Sequence, residues 1–261
     1  MKCQVMNYLA KKYYYTYVSS RAHDKGDYIV NIGIILAAGV GSRFKSDKPK
    51  QFFLLNGKPV LYYTIKSFIA SELFDKVIIV LSKPYLKLGE NINKKYFAHF
   101  PIVSVCEGGL TRQDSLYNGI KYAMDDFGDT DFKIVSHCAA RPLLSKVILQ
   151  KNLELIEKGK SVDTVKRVYD TMLYTDSEGE TGFINRDRLF VGLTPQSFYA
   201  SDYVNAYNLV KNRISEFTCA CSLMKAADFG ITLLITKEPI HKITVNEDIN
   251  IVKQQIKEMN L

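Results

Sequence analysis

The stretch Leu36-Ala37-Ala38-Gly39-Val40-Gly41-Ser42-Arg43, followed shortly by Lys48-Pro49-Lys50-Gln51, indicates the fold of this chain. It closes an apolar run, Ile32 to Leu36, that is typical of a buried strand. The glycines and small residues let the backbone approach a phosphate closely, and Arg43 and Lys50 supply charge to neutralise it. An ordinary tight turn with solvated cations would explain the glycines but not the order of these residues. The stretch therefore predicts a strand followed by a triphosphate-binding loop.

The composition is that of a globular protein with an anionic partner. The chain has 261 residues, of which 47% are hydrophobic and 24% charged, and its net charge is +8. No apolar run reaches the ~18 residues that a membrane-spanning helix needs. Because the sequence contains no arginine stripe, RNP-type aromatic motif or zinc-finger spacing, it favours a small phosphorylated substrate over nucleic acid. We expect neither a nucleic-acid partner nor a membrane partner.

The cysteines favour a reducing environment. Their number is odd, and their spacings match neither a disulfide framework nor paired metal ligands. The five are Cys3, Cys106, Cys138, Cys219 and Cys221. We therefore expect a cytoplasmic protein.

Residues 1–29 form an N-terminal extension that differs from the rest of the chain. They hold Tyr13-Tyr14-Tyr15 and a polar stretch, and they lack the apolar region of a signal peptide. One explanation is that synthesis starts near residue 30 and the upstream residues are over-annotated. The other is a short, mobile or disordered tail. Either way, residues 30–261 are expected to form the functional domain.

Apolar, β-branched runs alternate with amphipathic stretches along that domain. The predicted strands are Ile32–Leu36, Lys76–Leu81, Ile102–Cys106, Phe132–Ser136, Ser161–Val165 and Ile231–Ile235. The predicted helices are Val60–Ile69, Gln113–Met124, Lys146–Glu157, Ser201–Val210, a segment near Glu216–Ala227, and Glu247–Glu258. This alternation predicts an α/β fold with a mainly parallel twisted sheet and helices on both faces.

Three loops are expected to meet at one edge of this sheet. They are Ala38–Gln51, Glu107–Ser115 and His137–Pro142, and each follows a predicted strand. Ligands of such sheets bind outside the carboxyl ends of the strands. A further segment, 168–188, has alternating residues around the turn-forming residues 175–180, which predicts a β-arm projecting from the sheet.

The second and third loops leave alternatives open. In Gly108-Gly109-Leu110-Thr111-Arg112-Gln113-Asp114-Ser115, the glycines, Arg112 and Ser115 suggest a second anion or base-edge site. An ordinary capped turn before a helix explains this loop about equally well. In the third loop His137 could be an acid–base group, but a structural histidine bonded to the backbone is favoured.

Taken together, four motifs in one order resemble a known family. They are AAGxGxR with PKQ, then GGxxRxxS, then HxAARP, then LTPQSF. This pattern resembles the cytidylyltransferases that make CDP-alditols and CDP-methylerythritol, and it covers nearly the whole chain from about residue 32. The resemblance implies a Rossmann-like nucleotidyltransferase fold and transfer of CMP from CTP to a phosphorylated polyol, with release of pyrophosphate. It also implies a homodimer formed through the β-arm.

The resemblance also implies roles for individual residues. The CTP site would comprise Ala37, Ala38, Gly39, Gly41, Gly109, Arg112, Ser115 and Ala139. Four cations would be catalytic, two on the reacting phosphates and two on the acceptor phosphate: Arg43, Lys50, Arg186 and Lys242. The acceptor pocket would include Arg141, Thr171 and Thr194. Because a phosphate attacks as an anion, such a site needs in-line positioning and charge neutralisation rather than a strong base.

Two residues depart from the family pattern. The resemblance implies an Asp that helps to hold Mg²⁺ at the position of Cys138, and a second Asp at the position of Cys219. A thiol is a poor ligand for a hard cation such as Mg²⁺. Three explanations are open: the CTP phosphates and water carry the Mg²⁺, the protein is a weakened or inactive paralogue, or the thiols form a site of their own. The first two are favoured, because Cys219-x-Cys221 is too tight for usual metal spacing.

The acceptor is the finer question. Residues 161–165, 192–198 and 218–221 look more like the ribitol 5-phosphate enzymes than the methylerythritol ones. We therefore favour ribitol 5-phosphate, a precursor for cell-surface polysaccharide, over the 2-C-methyl-D-erythritol 4-phosphate of isoprenoid synthesis. A dinucleotide-dependent oxidoreductase is disfavoured, since the glycines are not GxGxxG and no acid ends the second strand.

Overall fold

The computed structural model of the chain describes residues 29–39, 49–128 and 130–258. The proposed N-terminal extension therefore lies almost entirely outside the described residues, and so do Gly41 and Arg43. Within the described ranges no helix is long and apolar enough to cross a membrane.

The central sheet has seven strands. They are β1 (Asn31–Leu36), β4 (Lys76–Leu81), β5 (Val103–Glu107), β6 (Lys133–Cys138), β7 (Lys160–Arg167), β10 (Phe190–Tyr199) and β11 (Gly230–Ile235). Their order is β11-β7-β10-β6-β1-β4-β5. Only β10 runs antiparallel to its neighbours, β6 and β7; the other pairings are parallel. The predicted mainly parallel sheet is confirmed.

Two short hairpins complete the strands. The first comprises β2 (Leu54–Leu55) and β3 (Lys58–Pro59). The second comprises β8 (Met172–Thr175) and β9 (Thr181–Ile184), paired antiparallel in a sheet of their own. This second hairpin lies between β7 and β10 in the chain, so the predicted β-arm within 168–188 is present.

Seven α-helices are described. They are α1 (Val60–Ser71), α2 (Leu86–Phe97), α3 (Arg112–Phe127), α4 (Lys146–Glu154), α5 (Ala200–Leu209), α6 (Ala220–Ala226) and α7 (Asp248–Glu258). Short 3-10 turns occur at Lys50–Phe52, Lys83–Tyr85, Arg186–Arg188 and Lys211–Glu216. The predicted helix near Glu216–Ala227 is thus shorter than expected, because Lys211–Glu216 forms a separate 3-10 turn before it.

The strands bury both faces, as a parallel sheet requires. Ile35 belongs to one apolar cluster, with α1, α2 and α4, whereas Ile34 belongs to another, with α3, α5 and α6. A third cluster joins α7 to α1 and to Leu143 and Ile243. Helices therefore cover both faces of the sheet, as predicted.

Strand β10, helix α2 and the short β2–β3 hairpin were not predicted from the sequence. Strand β10 contains Gly192 and Pro195, which interrupt an apolar pattern, and its register with β7 shifts between Gly192 and Gln196. Helix α2 contains Gly89 in its middle, which lowers its apparent helix propensity. The glycine is required by packing, since a Cβ at this position would collide with Leu81 of β4.

Candidate active site

The three loops predicted to converge do line one cavity. Its volume is about 270 Å³, and it lies at the carboxyl ends of β1, β5 and β6. Of the residues singled out in the sequence, the cavity is lined by Ala37, Ala38, Gly39, Lys50, Gly109, Arg112, Ser115, Cys138, Ala139 and Lys242. Convergence follows from topology, because parallel strands bring their carboxyl ends to one edge.

The first loop is anchored to the sheet and to the turn that carries Lys50. The Ala37 N–H donates to Val80 O at 2.8 Å. The Gln51 amide donates to two loop carbonyls, Ala37 O at 2.6 Å and Gly39 O at 3.1 Å. Gln51 is itself only 3% exposed. These contacts hold the described part of the loop at the cavity wall.

The second loop contains a helix cap and also lines part of the cavity. Thr111 and Asp114 form a capping box at the start of α3, with both bonds at 3.0 Å. The Ser115 hydroxyl accepts from the Gly109 N–H at 3.1 Å, and a Cβ at Gly109 would collide with Asp114. Both interpretations of this loop therefore apply: it is a capped turn, and it presents a helix N-terminus to the cavity.

Asp114 is held ionised by its neighbours. Its partial burial raises the pKa, but hydrogen bonds from Tyr207 and Thr111 outweigh this and leave the pKa below its usual value. The Tyr207 hydroxyl donates to Asp114 at 2.6 Å. The Asp114 carboxylate is therefore hydrogen-bonded to the Thr111 cap and to Tyr207 of α5. These bonds fix the start of α3.

His137 is a structural residue. It is fully buried, and its Nε2 lies 2.9 Å from Arg141 O, so the ring N–H donates to that carbonyl. Burial lowers the pKa of His137 to about 3, with a smaller opposing effect of the Arg141 carbonyl. The imidazole is therefore neutral at physiological pH. The expectation of a histidine bonded to the backbone is confirmed.

Lys242 reaches the cavity through contacts between distant parts of the chain. The Ile243 N–H donates to Ala140 O at 2.8 Å, and Arg141 donates to Ile240 O at 2.6 Å. These bonds attach the segment containing Lys242 to the third loop. Arg141, predicted to bind the acceptor, thus directs its guanidinium at a backbone carbonyl and is not among the residues that line the cavity.

The remaining predicted residues lie elsewhere. Arg186 and Thr171 belong to the arm segment, where Arg186 donates to Tyr169 O at 2.6 Å and is exposed. Neither lines the cavity of its own chain. Thr194 is buried, and its Oγ1 accepts a hydrogen bond at 3.3 Å from the N–H of Cys138, which lines the cavity. Arg43 falls outside the described residues.

The described part of the cavity carries positive charge. Lys50, Arg112 and Lys242 line it, and none of its described lining residues is acidic. Such a charge distribution favours a polyanion and disfavours a cationic ligand.

The donor set does not fit a Mg²⁺ ion held by protein carboxylates. Cys138 offers a thiol, and among the described residues no group of three His, Cys, Asp or Glu side chains lies close enough to hold a metal. Cys219 instead caps α6, its sulfur accepting from the Ser222 N–H at 3.3 Å. Burial raises the pKa of the Cys221 thiol. The proposed thiol metal site is therefore not supported by the described residues.

Five lining residues were given no functional role from the sequence: Leu36, Gln51, Leu110, Thr111 and Ala140. Gln51 was quoted only as part of a motif, and Leu110 lay between the glycines and Arg112 without comment. Leu110 is fully exposed beside the cavity. No local signal marks either residue, since the partners of Gln51 become visible only after folding.

Comparison with known proteins gives consistent matches. The family model described as IspD, 2-C-methyl-D-erythritol 4-phosphate cytidylyltransferase, matches residues 31–258. A ribitol-5-phosphate cytidylyltransferase of Lactiplantibacillus plantarum is 32% identical over 220 residues, 83% of this chain and 94% of the relative. A 2-C-methyl-D-erythritol 4-phosphate cytidylyltransferase of Thermosipho melanesiensis is 30% identical over 223 residues, 85% and 96% of the two chains.

A solved structure agrees with these matches. The 4-diphosphocytidyl-2C-methyl-D-erythritol synthase of Anaerococcus prevotii superposes with a TM-score of 0.73 at 25% identity. The superposition covers 88% of this chain and 100% of the other.

Proposed function

This chain belongs to the IspD family and is a cytidylyltransferase, and from that premise we propose that it transfers CMP from CTP to ribitol 5-phosphate. The products would be CDP-ribitol and pyrophosphate. The observation that carries the proposal is the cavity into which Lys50, Arg112 and Lys242 are brought together, with no acidic side chain among its described lining residues.

The chemistry follows from charge. An oxygen of the acceptor phosphate attacks the α-phosphorus of CTP, and the bond from that phosphorus to the pyrophosphate oxygen breaks. The nucleophile is already an anion, so no base has to remove a proton. Lys50 stabilises the charge on the reacting phosphates, together with Arg43, and Lys242 positions the acceptor phosphate. The neutral His137 takes no part in proton transfer.

The cytidine is held by the small residues and by the start of α3. Gly109 and Ala139 lie at the cavity wall, and the first turn of α3 presents backbone N–H groups to an anion. Mg²⁺ would be held mainly by the triphosphate oxygens and water, since the described lining residues supply a thiol rather than a carboxylate.

Ribitol 5-phosphate is preferred as the acceptor on sequence grounds. The Lactiplantibacillus plantarum relative bears that activity in its name, and residues 161–165, 192–198 and 218–221 resemble those enzymes. The alternative acceptor is 2-C-methyl-D-erythritol 4-phosphate, which appears in the name of the Thermosipho melanesiensis relative.

The arm supports a homodimer. Its strands place Leu173 opposite Phe183, and both side chains are exposed, at 55% and 74%. An exposed cross-strand apolar pair is an interaction surface. In the proposed dimer, Thr171 and Arg186 complete the acceptor pocket of the partner, which accounts for their distance from the cavity of their own chain.

Pyrophosphate release tests the function. The purified full chain is given CTP and Mg²⁺ with either ribitol 5-phosphate or 2-C-methyl-D-erythritol 4-phosphate. We expect kcat/KM to be at least about tenfold higher for ribitol 5-phosphate, since a site that bonds substrate hydroxyls discriminates by that much or more. Lys242→Ala serves as the control and should lose about 10²-fold in kcat/KM.

The alternative outcomes are distinct. Faster turnover of 2-C-methyl-D-erythritol 4-phosphate would show that it, rather than ribitol 5-phosphate, is the acceptor. No pyrophosphate from either acceptor, with CTP binding intact in calorimetry, would identify a nucleotide-binding paralogue without this activity.

A further inference from the structure

Gln51 clamps the first loop through two hydrogen bonds from one amide. Its Nε2 donates to Ala37 O at 2.6 Å and to Gly39 O at 3.1 Å. We propose that Gln51 is a positioning residue that holds residues 37–39, the described start of this loop, in their CTP-binding conformation before the nucleotide arrives. The proposal rests on the proposed function only in taking CTP as the nucleotide.

The clamp depends on the two donor hydrogens of the amide. Both partners are carbonyl oxygens, which only accept, so the NH₂ group of Gln51 must face them. The side chain is 3% exposed, so water has little access to replace it. Removing the donors would leave two loop carbonyls without these partners, and the loop would leave this conformation to find others.

The orientation of a peptide plane is what the clamp controls. The carbonyl of Ala37 and the N–H of Ala38 lie in one trans peptide plane and point in opposite directions. Holding Ala37 O against Gln51 therefore keeps the Ala38 N–H pointing away from Gln51. Ala37, Ala38 and Gly39 all line the cavity. An aligned backbone N–H is the group with which such a loop binds a phosphate or a base edge.

The clamp also couples the loop to a catalytic cation. Gln51 lies in the 3-10 turn Lys50–Phe52, directly after Lys50. Phe52 anchors this turn in the core, where its ring lies 5.2 Å from that of Tyr85. One rigid turn thus carries both Lys50 and the amide that holds the loop.

The expected consequence is a specific loss of CTP affinity. A loop that is ordered in advance costs less entropy on binding than one that CTP must order. At saturating CTP the bound nucleotide itself holds the loop, so kcat should fall less than affinity does. A residue important only for folding would behave differently: it would reduce the fraction of active protein and leave the affinity of the folded fraction unchanged.

The test uses Gln51→Met, which keeps the length of the side chain but has no donor. We expect the Kd for CTP, measured by calorimetry on the full chain, to rise at least about tenfold, and kcat to fall by less than about threefold. The KM for the polyol phosphate should change by less than about twofold. Gln51→Glu, of nearly the same shape and also without these donors, should weaken CTP binding at least as much.

A buried amide elsewhere provides the matched control. Asn152 is fully buried in α4, and its Nδ2 donates to Ile148 O at 2.9 Å and to Thr164 Oγ1 at 3.0 Å; none of these three residues lines the cavity. Asn152→Leu should lower the thermal midpoint and leave the Kd for CTP within about twofold of wild type.

The proposal is overturned if Gln51→Met binds CTP as tightly as wild type, or if its only defect is a lower fraction of folded protein. Since binding is measured without an acceptor, this result is independent of pyrophosphate release. Failure of the wild type to release pyrophosphate would count against the proposed function alone. If Gln51→Met does not fold, the Kd of Gln51→Leu, which is also uncharged and without a donor, decides in the same way.

Discussion

At the scale of single residues, Cys138 ends β6 half-buried and lines the same cavity as Lys242. A carboxylate at this position would point a hard oxygen ligand at the triphosphate-bound cation, whereas the thiol contributes little to binding Mg²⁺. The rest of the described cavity keeps its cations. Under the proposed function, affinity for the nucleotide and use of the metal would therefore be separable properties of this site.

Cys138→Asp is expected to raise turnover that depends on Mg²⁺. Adding one oxygen ligand should lower the Mg²⁺ concentration for half-maximal rate by roughly 10-fold, a change typical of groups that tune a metal site. Steady-state rates over a Mg²⁺ titration measure this, with Cys138→Ser as the uncharged control. An unchanged or lower rate would contradict the lost-ligand interpretation.

His137 makes stability depend on pH. Its pKa is about 3 in the folded chain against 6.5 for a free histidine, so below pH 6.5 the unfolded chain binds the extra proton. The stabilisation is therefore complete above pH 6.5 and is lost as pH falls toward 3, by up to about 1.4 kcal/mol per pH unit.

His137→Gln should remove that slope, because a glutamine amide can also donate to Arg141 O but does not titrate. Urea unfolding at pH 7.0 and pH 5.5 gives the change in the free energy of unfolding between the two pH values, which is compared between the variant and wild type. The control is His99→Gln, at an exposed histidine, which should retain the wild-type slope. Equal slopes in wild type and His137→Gln would show that His137 is not held neutral.

At the scale of elements, the start of α3 serves both the fold and the site. The Thr111–Asp114 capping box and the Tyr207–Asp114 bond set where the helix begins. Arg112 and Ser115 in the first turn reach the cavity only because that start is fixed.

Asp114→Ala is expected to lower the free energy of unfolding by about 1–2 kcal/mol, since it removes half of a capping box. Denaturant unfolding measures the loss. Asp125→Ala, at an exposed acid near the other end of α3, is the control and should stay within about 0.5 kcal/mol of wild type. A loss no larger than that of the control would mean that the cap does not stabilise the helix.

At the scale of the whole molecule, the arm is the part of the described structure without a core of its own. Every residue of β8 is exposed, and so is most of β9. An isolated two-stranded hairpin is only marginally stable in water. A second surface would therefore stabilise the arm, and the proposed dimer would provide one.

Leu173→Asp combined with Phe183→Asp should convert the dimer to a monomer, because two charges would have to be buried in the interface. We also expect turnover to fall by about 10-fold or more, since Thr171 and Arg186 would no longer reach the partner's cavity. Light scattering coupled to size exclusion measures the mass. Leu209→Asp, at a 73% exposed leucine in α5, is the control. A monomeric wild type, or a dimeric double variant, would contradict the arm-mediated dimer.

Local sequence patterns were enough to predict much of the fold. The strand at Lys76–Leu81 and the helix α3 were predictable because neighbouring residues in the chain carry the pattern. That pattern is an apolar run in the strand and an amphipathic stretch in the helix. The convergence of the loops after β1, β5 and β6 then followed from the parallel topology alone. Strand β10 escaped prediction because Gly192 and Pro195 break its pattern, and its pairing with distant β6 and β7 overrides that local signal.

The sequence by itself determined the α/β class and the cationic character of the described site, because each depends on residue types in short stretches. Only the tertiary structure decided that Lys242 joins Lys50 at one cavity, that Arg141 and His137 bond to the backbone, and that Gln51 clamps the first loop. These outcomes rest on hydrogen bonds from side chains to backbone carbonyls and on backbone contacts between distant segments. A backbone carbonyl is chemically the same at every residue, so no pattern of side chains marks which one will be the partner.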